Sequence, residues 1–563
     1  MKNYLVSALV IVASLSCGDS PEGQFGPYTV SPTSGLTTKE LGSSSSFTVV
    51  LREKPVGVVT LALTSTDTEE GTVSPATLTF DESNYQTAQT VTVTGADDAV
   101  VDGSQEFKVN LNATSSSSSD EKFTVAADVQ TVTNEDDLIE DTVLVSFNSG
   151  NTASGNAASY AGSIRPLSIS ANGQFIAFES TATNLVSGDT GGHTDIFLRN
   201  IVTAATTRVS VNGSNDGGNG ASTAPSVSAD GRFVVFQSLA TNFVTDANGV
   251  SDIYLRDTQA GTTTLVSVNT AGDIGDAAST EATISADGTK VAFLSTATNL
   301  AHNNITTTAA RRHVYVRDLT AGSTTLVSVD SAGTAQAADH SNDPAISADG
   351  KFVAFASFAD DIVPATATGA QQVFRRDLVN NSTAHVSIST TGTAGNAASY
   401  RPSISSDGSF IAFTCEAWNL VTGDSNARND ICLRNVTNGT TSLISTVSGA
   451  TTVSGNLGNG NSGNSGGASV SADGRYVIFS SSASNLLTGG ADTNNKDDIF
   501  SRDTTTGITT RVSLNTDSGQ GTDNSGYPAC SSDGRVVAYI SAAANLVSED
   551  SNTNNDVFAS LRL

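Results

Sequence analysis

A short phrase, Ser-x-Asp-Gly, recurs along most of this chain and constrains its fold more than any other feature. Its glycine stands at Gly173, Gly231, Gly288, Gly350, Gly408, Gly474 and Gly534, at spacings of 57 to 66 residues, with Asn in place of Asp in the first copy. Such a pair flanked by apolar runs is the strongest short-range sign of a β-hairpin, because both central turn residues need positive φ. In the copy running from Pro225 to Val268, the hairpin is followed by a polar loop, a third apolar run, DIYLRD, a second turn and a fourth run, TTLVSV. Four strands per unit at this period describe a propeller or a similar closed array.

The strand phrases can be counted. Second strands read FIAFES, FVVFQS, VAFLS, FVAFAS, FIAFTC, YVIFSS and VVAYIS, and third strands run from DIFLRN to DVFASL. Fourth strands follow only six times, as TTRVSV, TTLVSV twice, TAHVSI, TSLIST and TTRVSL. The missing one stands ahead of the first repeat as TVLVSF, Thr142 to Phe147. The expected fold is therefore all-β, with seven four-stranded blades over 142–563 closed by strand 142–147, which hides the sheet edges. The second strands are apolar at consecutive positions, as expected of sheets buried on both faces. The S-x-D-G hairpin followed by a strand ending in A-F resembles the TolB-like, or PD40, class of WD40-like propellers, over all seven repeats.

Ahead of the repeats the pattern changes to longer alternating strands such as SFTVVL, AQTVTVTG and EFKVNL. Period-two alternation predicts sheets with one dry face, and a β-sandwich over 28–137. The phrases VSPTSGLTTKELG, TSTDTEEGTVSPATLTFDESNYQTAQTVTVTGADDAVVDG and TVTNEDD resemble the Calx-β family of calcium-binding sandwiches. That resemblance implies acidic ligands gathered from several loops, at Glu40, Asp67, Asp97, Asp98, Asp102, Asp136 and Asp137. Clustered carboxylates suit Ca²⁺, which takes six to eight oxygens. Ordinary acidic turns would read the same way. The linker 138–141 is short enough to keep the two domains close.

Residues 1–16 read as an export signal, with Lys2, an apolar stretch from Tyr4 to Leu15, and small Ser16. Cys17 follows, and the segment resembles a bacterial lipoprotein signal in which that Cys is lipidated, although Ser14 stands where the family prefers Leu. Gly18 lacks the retention signal of inner-membrane lipoproteins, so the expected place is the outer membrane, on its periplasmic or surface side. A plain secretory signal would give a secreted protein instead. Residues 17–27 are expected to form a tether, and lipid would be the only membrane anchor.

With 56 acidic and 27 basic residues the net charge is −29, which argues against nucleic-acid or anionic-lipid partners and favours cations and a soluble monomer. A second signal sits before the third strand of several repeats. Asp246, Asn248 and Asp252 are spaced D-x-N-x-x-x-D, and the spacing returns at Asp424, Asn426 and Asp430, at Asp492, Asn494 and Asp498, and at Asp550, Asn552 and Asp556. Asp189 and Asp195 form a weaker copy, while His313 and Gln372 replace the last Asp in the third and fourth repeats. Alternating side-chain oxygens suit a hard cation and resemble half of an EF-hand-type loop. The same residues also cap turns, and the last Asp can brace a hairpin.

Enzyme signatures fail on context. Gly463 to Gly467 matches G-x-S-x-G, and Gly458, Gly460 and Gly463 match G-x-G-x-x-G, but both lie in a Gly/Asn/Ser loop without the strand and helix these motifs need. The histidines lack zinc spacing. Cys415 and Cys432 fall on consecutive strands of one blade and could be bridged or remain buried thiols. Cys530 reads as a small core residue, and Glu416 with Trp418 as a local packing change, or Trp418 as an exposed ligand platform. The expected function is non-catalytic binding or scaffolding of an envelope protein or glycan, with Ca²⁺ as the expected ion holding loops. The alternatives are a propeller hydrolase or lyase with carboxylates converging at the channel mouth, and an adhesin or spacer.

Overall fold

The computed structural model describes residues 23–25, 27–32, 34–39, 44–96, 105–116, 127–135, 142–245, 248–300, 305, 311–364, 368–450, 452–488 and 492–561. It divides into two compact units, 1–137 and 138–563. In the first, one sheet runs Gly23–Phe25, Tyr28–Ser31, Ser44–Leu51, Gln89–Gly95 and Gly71–Ser74. The other runs Leu36–Lys39, Ala127–Glu135, Gln105–Ser116, Val59–Ser65 and Thr77–Phe80. Alternate residues such as Phe47, Val49, Leu51, Val91 and Val93 turn inward to one core shared by the two sheets. Gly23–Phe25 departs from the expected tether by pairing antiparallel with Tyr28–Val30, a backbone partner available at the sheet edge.

The second unit holds seven four-stranded sheets. Blade 2 is typical, with strands Ser222–Val227, Phe233–Ser238, Asp252–Asp257 and Thr262–Leu265 in sequential antiparallel order. Blades 1 and 3 to 6 follow the same order, with first strands Leu167–Ile169, Ser279–Ile284, Ser341–Ile346, Ser399–Ile404 and Ala468–Val470. Blade 7 is built from Ser525–Cys530, Val536–Ser541 and Asp556–Leu561, and Val143–Leu144 supplies its fourth strand by pairing antiparallel with the last. The ring closes on a strand from the start of the unit.

The chemistry of S-x-D-G is now explicit. In blade 2, Ser228 Oγ donates to Asp230 Oδ1 at 2.6 Å and accepts the Phe233 N–H at 2.9 Å. Asp230 Oδ1 also accepts the Arg232 N–H at 3.0 Å, so Ser and Asp knit the whole turn. Gly231 has φ +76°, and a Cβ there would sit 2.3 Å from Phe175 of the preceding blade. The turn thus shapes its own hairpin and receives the neighbour's aromatic ring. Around the axis, backbone N–H groups of these turns donate to the next blade. Ala171, Ala229, Ala286, Asp349, Ser406, Ala472 and Ser532 donate to Ala229, Ala286, Ala348, Ser406, Ala472, Ser532 and Ala171 at 2.8 to 3.2 Å. That is a complete circuit. Apolar cores lie between neighbouring blades, as where Ile176 and Phe178 pack with Val536 and Ala538.

Candidate functional site

Strand order places the start of each first strand, the end of each second and the start of each third at one end of the ring, for instance Ser222, Ser238 and Asp252. Two features of that end stand out, one on the axis and one between blades.

On the axis, the first strands of blades 2, 3, 4, 5 and 7 carry a bulge at one register, as between Thr223 and Ser226 or Tyr400 and Ser403. The bulge holds Ala224, Glu281, Asp343, Arg401 and Tyr527 at φ between +53° and +57°. In blade 6 the place is taken by Gly467, at φ +77°. Non-glycine residues in this region are strained, and such positions cluster at functional sites. They are linked hand to hand. Glu179 Oε2 accepts the Ala224 N–H at 3.0 Å, Gln237 Oε1 the Glu281 N–H at 2.9 Å, Glu281 Oε2 the Asp343 N–H at 3.3 Å, and Asp343 Oδ2 the Arg401 N–H at 3.1 Å. Arg401 then donates to the Asn464 carbonyl at 2.6 Å, and Tyr527 meets Tyr160 hydroxyl to hydroxyl at 2.5 Å.

Below this ring a cavity of about 150 Å³ is lined by Arg165, Asp343, Arg401 and Tyr527, with Ser168, Ser226 and Thr283 deeper. Those hydroxyls accept the N–H groups of Val227, Ile284 and Ile346 in the next blades at 3.2 to 3.3 Å. Beyond them the channel is lined by Ile169, Val227, Ile284, Ile346, Ile404, Val470 and Cys530. Cys530, half-buried, lines the axis and also packs against the apolar core between blades 6 and 7. Burial and the neighbouring Asp343 push Glu281 up to about 7, against the pull of Arg165. Burial pulls Arg165 below its ordinary value, opposed by Asp343 and Glu281. The mouth thus brings both signs of charge to one small opening, and one carboxyl there exchanges its proton near neutral pH.

Between blades, the D-x-N-x-x-x-D loops fold back on the third strand. In blade 5, Asp430 is fully buried and its Oδ1 accepts Ser445 Oγ, just beyond the fourth strand Thr440–Leu443, at 2.6 Å. Asp195, Asp252, Asp498 and Asp556 do the same with Ser210, Ser267, Ser513 and Ser146, at 2.5 to 2.7 Å. The hairpin brace read from the sequence is therefore present in five blades. Gln372 replaces it in blade 4 through Ser387, at 2.7 Å, and His313 in blade 3 through Ser328, at 3.3 Å. The loop Asn holds the crossover to the next blade. Asn248, Asn426, Asn494 and Asn552 donate to the carbonyls of Gly275, Gly458, Gly521 and Gly155 at 3.0 to 3.2 Å.

The first Asp of the motif meets two different settings. In blade 1, Arg208 Nη1 lies 3.1 Å from Asp189 and 3.8 Å from Asp195. In blade 6, Arg511 lies 3.3 Å from Asp492 and 3.5 Å from Asp498. In blades 5 and 7 the corresponding fourth-strand residues are Leu443 and Leu144. There Asp424 Oδ1, Asp430 Oδ2, Asp550 Oδ2 and Asp556 Oδ2 are buried without a hydrogen-bond partner. Burial pushes Asp430 up to about 6 and Asp556 up to about 7, and the second carboxylate of each pair pushes the same way. Asp246 of blade 2 lies outside the described residues.

In the sandwich unit, Glu40, Asp97, Asp98, Asp102, Asp136 and Asp137 also lie outside the described residues, as does Cys17. Asp67 is exposed and caps a turn by accepting the Glu69 N–H at 3.1 Å. Glu70, not among the sequence candidates, is buried and accepts from Asn134 at 3.1 Å, which in turn accepts from Thr38 at 2.9 Å. Among the described residues there is no group of three or more His, Cys, Asp and Glu placed to hold an ion, and no helix long and apolar enough to cross a membrane. Cys415 and Cys432 are joined in a disulfide. Trp418, read as a local packing change or an exposed ligand platform, is 61% exposed. Sequence reading missed the mouth residues because a left-handed residue directly before proline, as in Asp343 and Arg401, runs against the usual extended preference there. The Arg/Leu alternation at the fourth strand was visible as TTRVS against TTLVS.

Topology and mouth define the class: an all-β protein with a closed seven-bladed propeller carrying a charged axial opening. No protein-family model and no curated protein matches the chain. Among solved structures, a putative TolB from Agrobacterium tumefaciens is 15% identical, covering 66% of this chain and 98% of its own with a TM-score of 0.34. A puromycin-hydrolysing peptidase from Mycobacterium tuberculosis is 12% identical over 72% of this chain and 54% of its own, with a TM-score of 0.40. This chain thus spans about half of that peptidase's length. A chain of the mitotic checkpoint complex is 13% identical over 75% of this chain and 94% of its own, with a TM-score of 0.38.

Proposed function

We propose that this chain is a non-catalytic binding module of the bacterial cell envelope, anchored through lipid on Cys17, whose propeller mouth holds a partner polypeptide. The reading is carried by the ring of left-handed residues. Backbone strain, hydrogen bonds from blade to blade and converging Arg165, Arg401, Asp343 and Glu281 describe a preorganised opening. An opening of about 150 Å³ takes a small group, not a folded domain. Paired charges of both signs suit a zwitterionic chain end or an adjacent acid and base on a partner's loop.

Photo-crosslinking from Tyr400, beside the ring, should capture an envelope protein. Arg401→Ala should lower that capture about tenfold, the effect of losing one buried charged contact. Undiminished capture by the variant would sink the reading, and capture of glycan alone would replace the polypeptide with a saccharide.

One observation favours a second reading, a hydrolase or lyase: Glu281, pushed up to about 7, suits general acid–base work near neutral pH. Turnover of peptide or glycan by the intact protein, abolished in Glu281→Gln, would establish it.

A further inference from the structure

We propose that blades 5 and 7 each bind a divalent cation of the calcium class between the loop that precedes the third strand and the crossover leaving the blade, and that an arginine guanidinium takes this cation's place in blades 1 and 6. The proposal is independent of what the mouth binds.

Equivalence of the positions rests on register. Arg208 pairs with Phe197, Arg511 with Phe500, Leu443 with Cys432 and Leu144 with Phe558, so the four residues stand at the same point of four blades. Where that point holds Arg, its guanidinium reaches both carboxylates of the motif, within 3.8 Å in blade 1 and 3.5 Å in blade 6. Where it holds Leu, both carboxylates remain and the positive charge does not. Each of those blades keeps a fully buried Asp with one oxygen committed to a serine and the other in no hydrogen bond of normal geometry, the Asn426 or Asn552 amide lying nearby. The second Asp of each pair likewise presents a buried oxygen without a partner. Two carboxylates facing one another in a dry pocket are strongly unfavourable unless a cation or a proton sits between them.

The surroundings favour the cation. Each pocket also holds neutral oxygen, the Gly458 carbonyl in blade 5 and Ser154 Oγ with the Gly155 carbonyl in blade 7, each accepting from the amide nitrogen of Asn426 or Asn552. Two carboxylates, such neutral donors and solvent make up the six to eight oxygens that Ca²⁺ accepts in irregular geometry, which smaller Mg²⁺ does not tolerate. Blades 3 and 4 lose the charge on the third strand, with His313 and Gln372, and so serve as internal controls. In blade 2, Asp246 lies outside the described residues.

The test is calcium stoichiometry of the full chain after chelation, by equilibrium dialysis with calorimetry. Asp430→Asn and Asp556→Asn should each remove one bound Ca²⁺ per chain, since an amide oxygen still accepts the serine and keeps the brace. Leu443→Arg should also remove one while leaving the chain folded without calcium. Arg511→Leu should add one. Unchanged stoichiometry in Leu443→Arg and in both Asn variants would overturn the proposal and leave a shared proton as the counter-charge. A folded Arg511→Leu chain that gains no ion would overturn the exchange of arginine for metal. Should either Asn variant fail to fold, Leu443→Arg alone decides for blade 5 and Leu144→Arg for blade 7.

Discussion

Glu281, Asp343, Arg401 and Tyr527 share one backbone setting, a left-handed bulge residue at the start of a first strand, and differ only in the group they present. The scaffold therefore fixes direction and leaves chemistry to the side chain. Glu281 shows what this placement does to a carboxyl. Its ordinary value near 4.5 rises to about 7 through burial and Asp343, while Arg165 and Arg312 pull the other way. The folded state thus holds a proton that the unfolded state has released, so stability from this group is fully present below about 4.5 and is lost as pH rises through about 7. Glu281→Gln keeps the neutral form at every pH. Its stability relative to wild type should be flat well below pH 4.5, rise between about 4.5 and 7, and level off at roughly 1–2 kcal/mol above that, a figure discounted for partial exposure. Denaturant titrations across that range check it, and a difference independent of pH would refute the shift. At this scale the sequence was only half legible. The paired aspartates stood out by spacing, yet their fate depends on an Arg or Leu more than a dozen residues away, which only strand register brings beside them.

The hairpin is the element that the sequence announces best, because its requirements are local. Ser228, Asp230 and Gly231 satisfy one another within a few residues, and no distant contact is needed to see that they form a turn. What the turn does for its neighbour was not legible. Phe410, the first residue of a second strand, lies where a Cβ on Gly474 of the next blade would come within 2.3 Å. Gly474→Ala adds that clash to the strain of an L residue at φ +75°, and should lower stability by about 2–4 kcal/mol. Gly455→Ala, at a comparable φ of +79° but with open space around it, should show the backbone part alone, about 1 kcal/mol. Thermal unfolding of the two variants separates steric from conformational effects. A loop brace was also readable and passed over. The second strand is followed in every blade by a turn whose Asn or Asp accepts a crossover N–H, as Asn184 does for Asn156, Asn299 for Asp276 and Asp361 for Ala338, at 2.9 to 3.0 Å.

For the whole molecule, the count of strands carried the architecture: seven first strands, six fourth strands and one spare at Thr142 to Phe147 required a ring closed by its own beginning. The pairing of Val143 with Ala559 and of Leu144 with Phe558 is that closure. A chain starting at Thr142 should remain monomeric and unfold cooperatively. One starting at Asn148 exposes the edge of Asp556–Leu561 and should associate or lose its sharp transition, because an unpaired edge strand recruits others. Light scattering alongside calorimetry distinguishes the two, and identical behaviour would show that the closing strand is dispensable. Closure of this kind also orders events in time. Blade 7 draws on residues near 143 and near 559, so the ring cannot be finished until almost all of the chain has been synthesised. Until then the chain can form only an open arc, with Val143–Leu144 still lacking its partner strand.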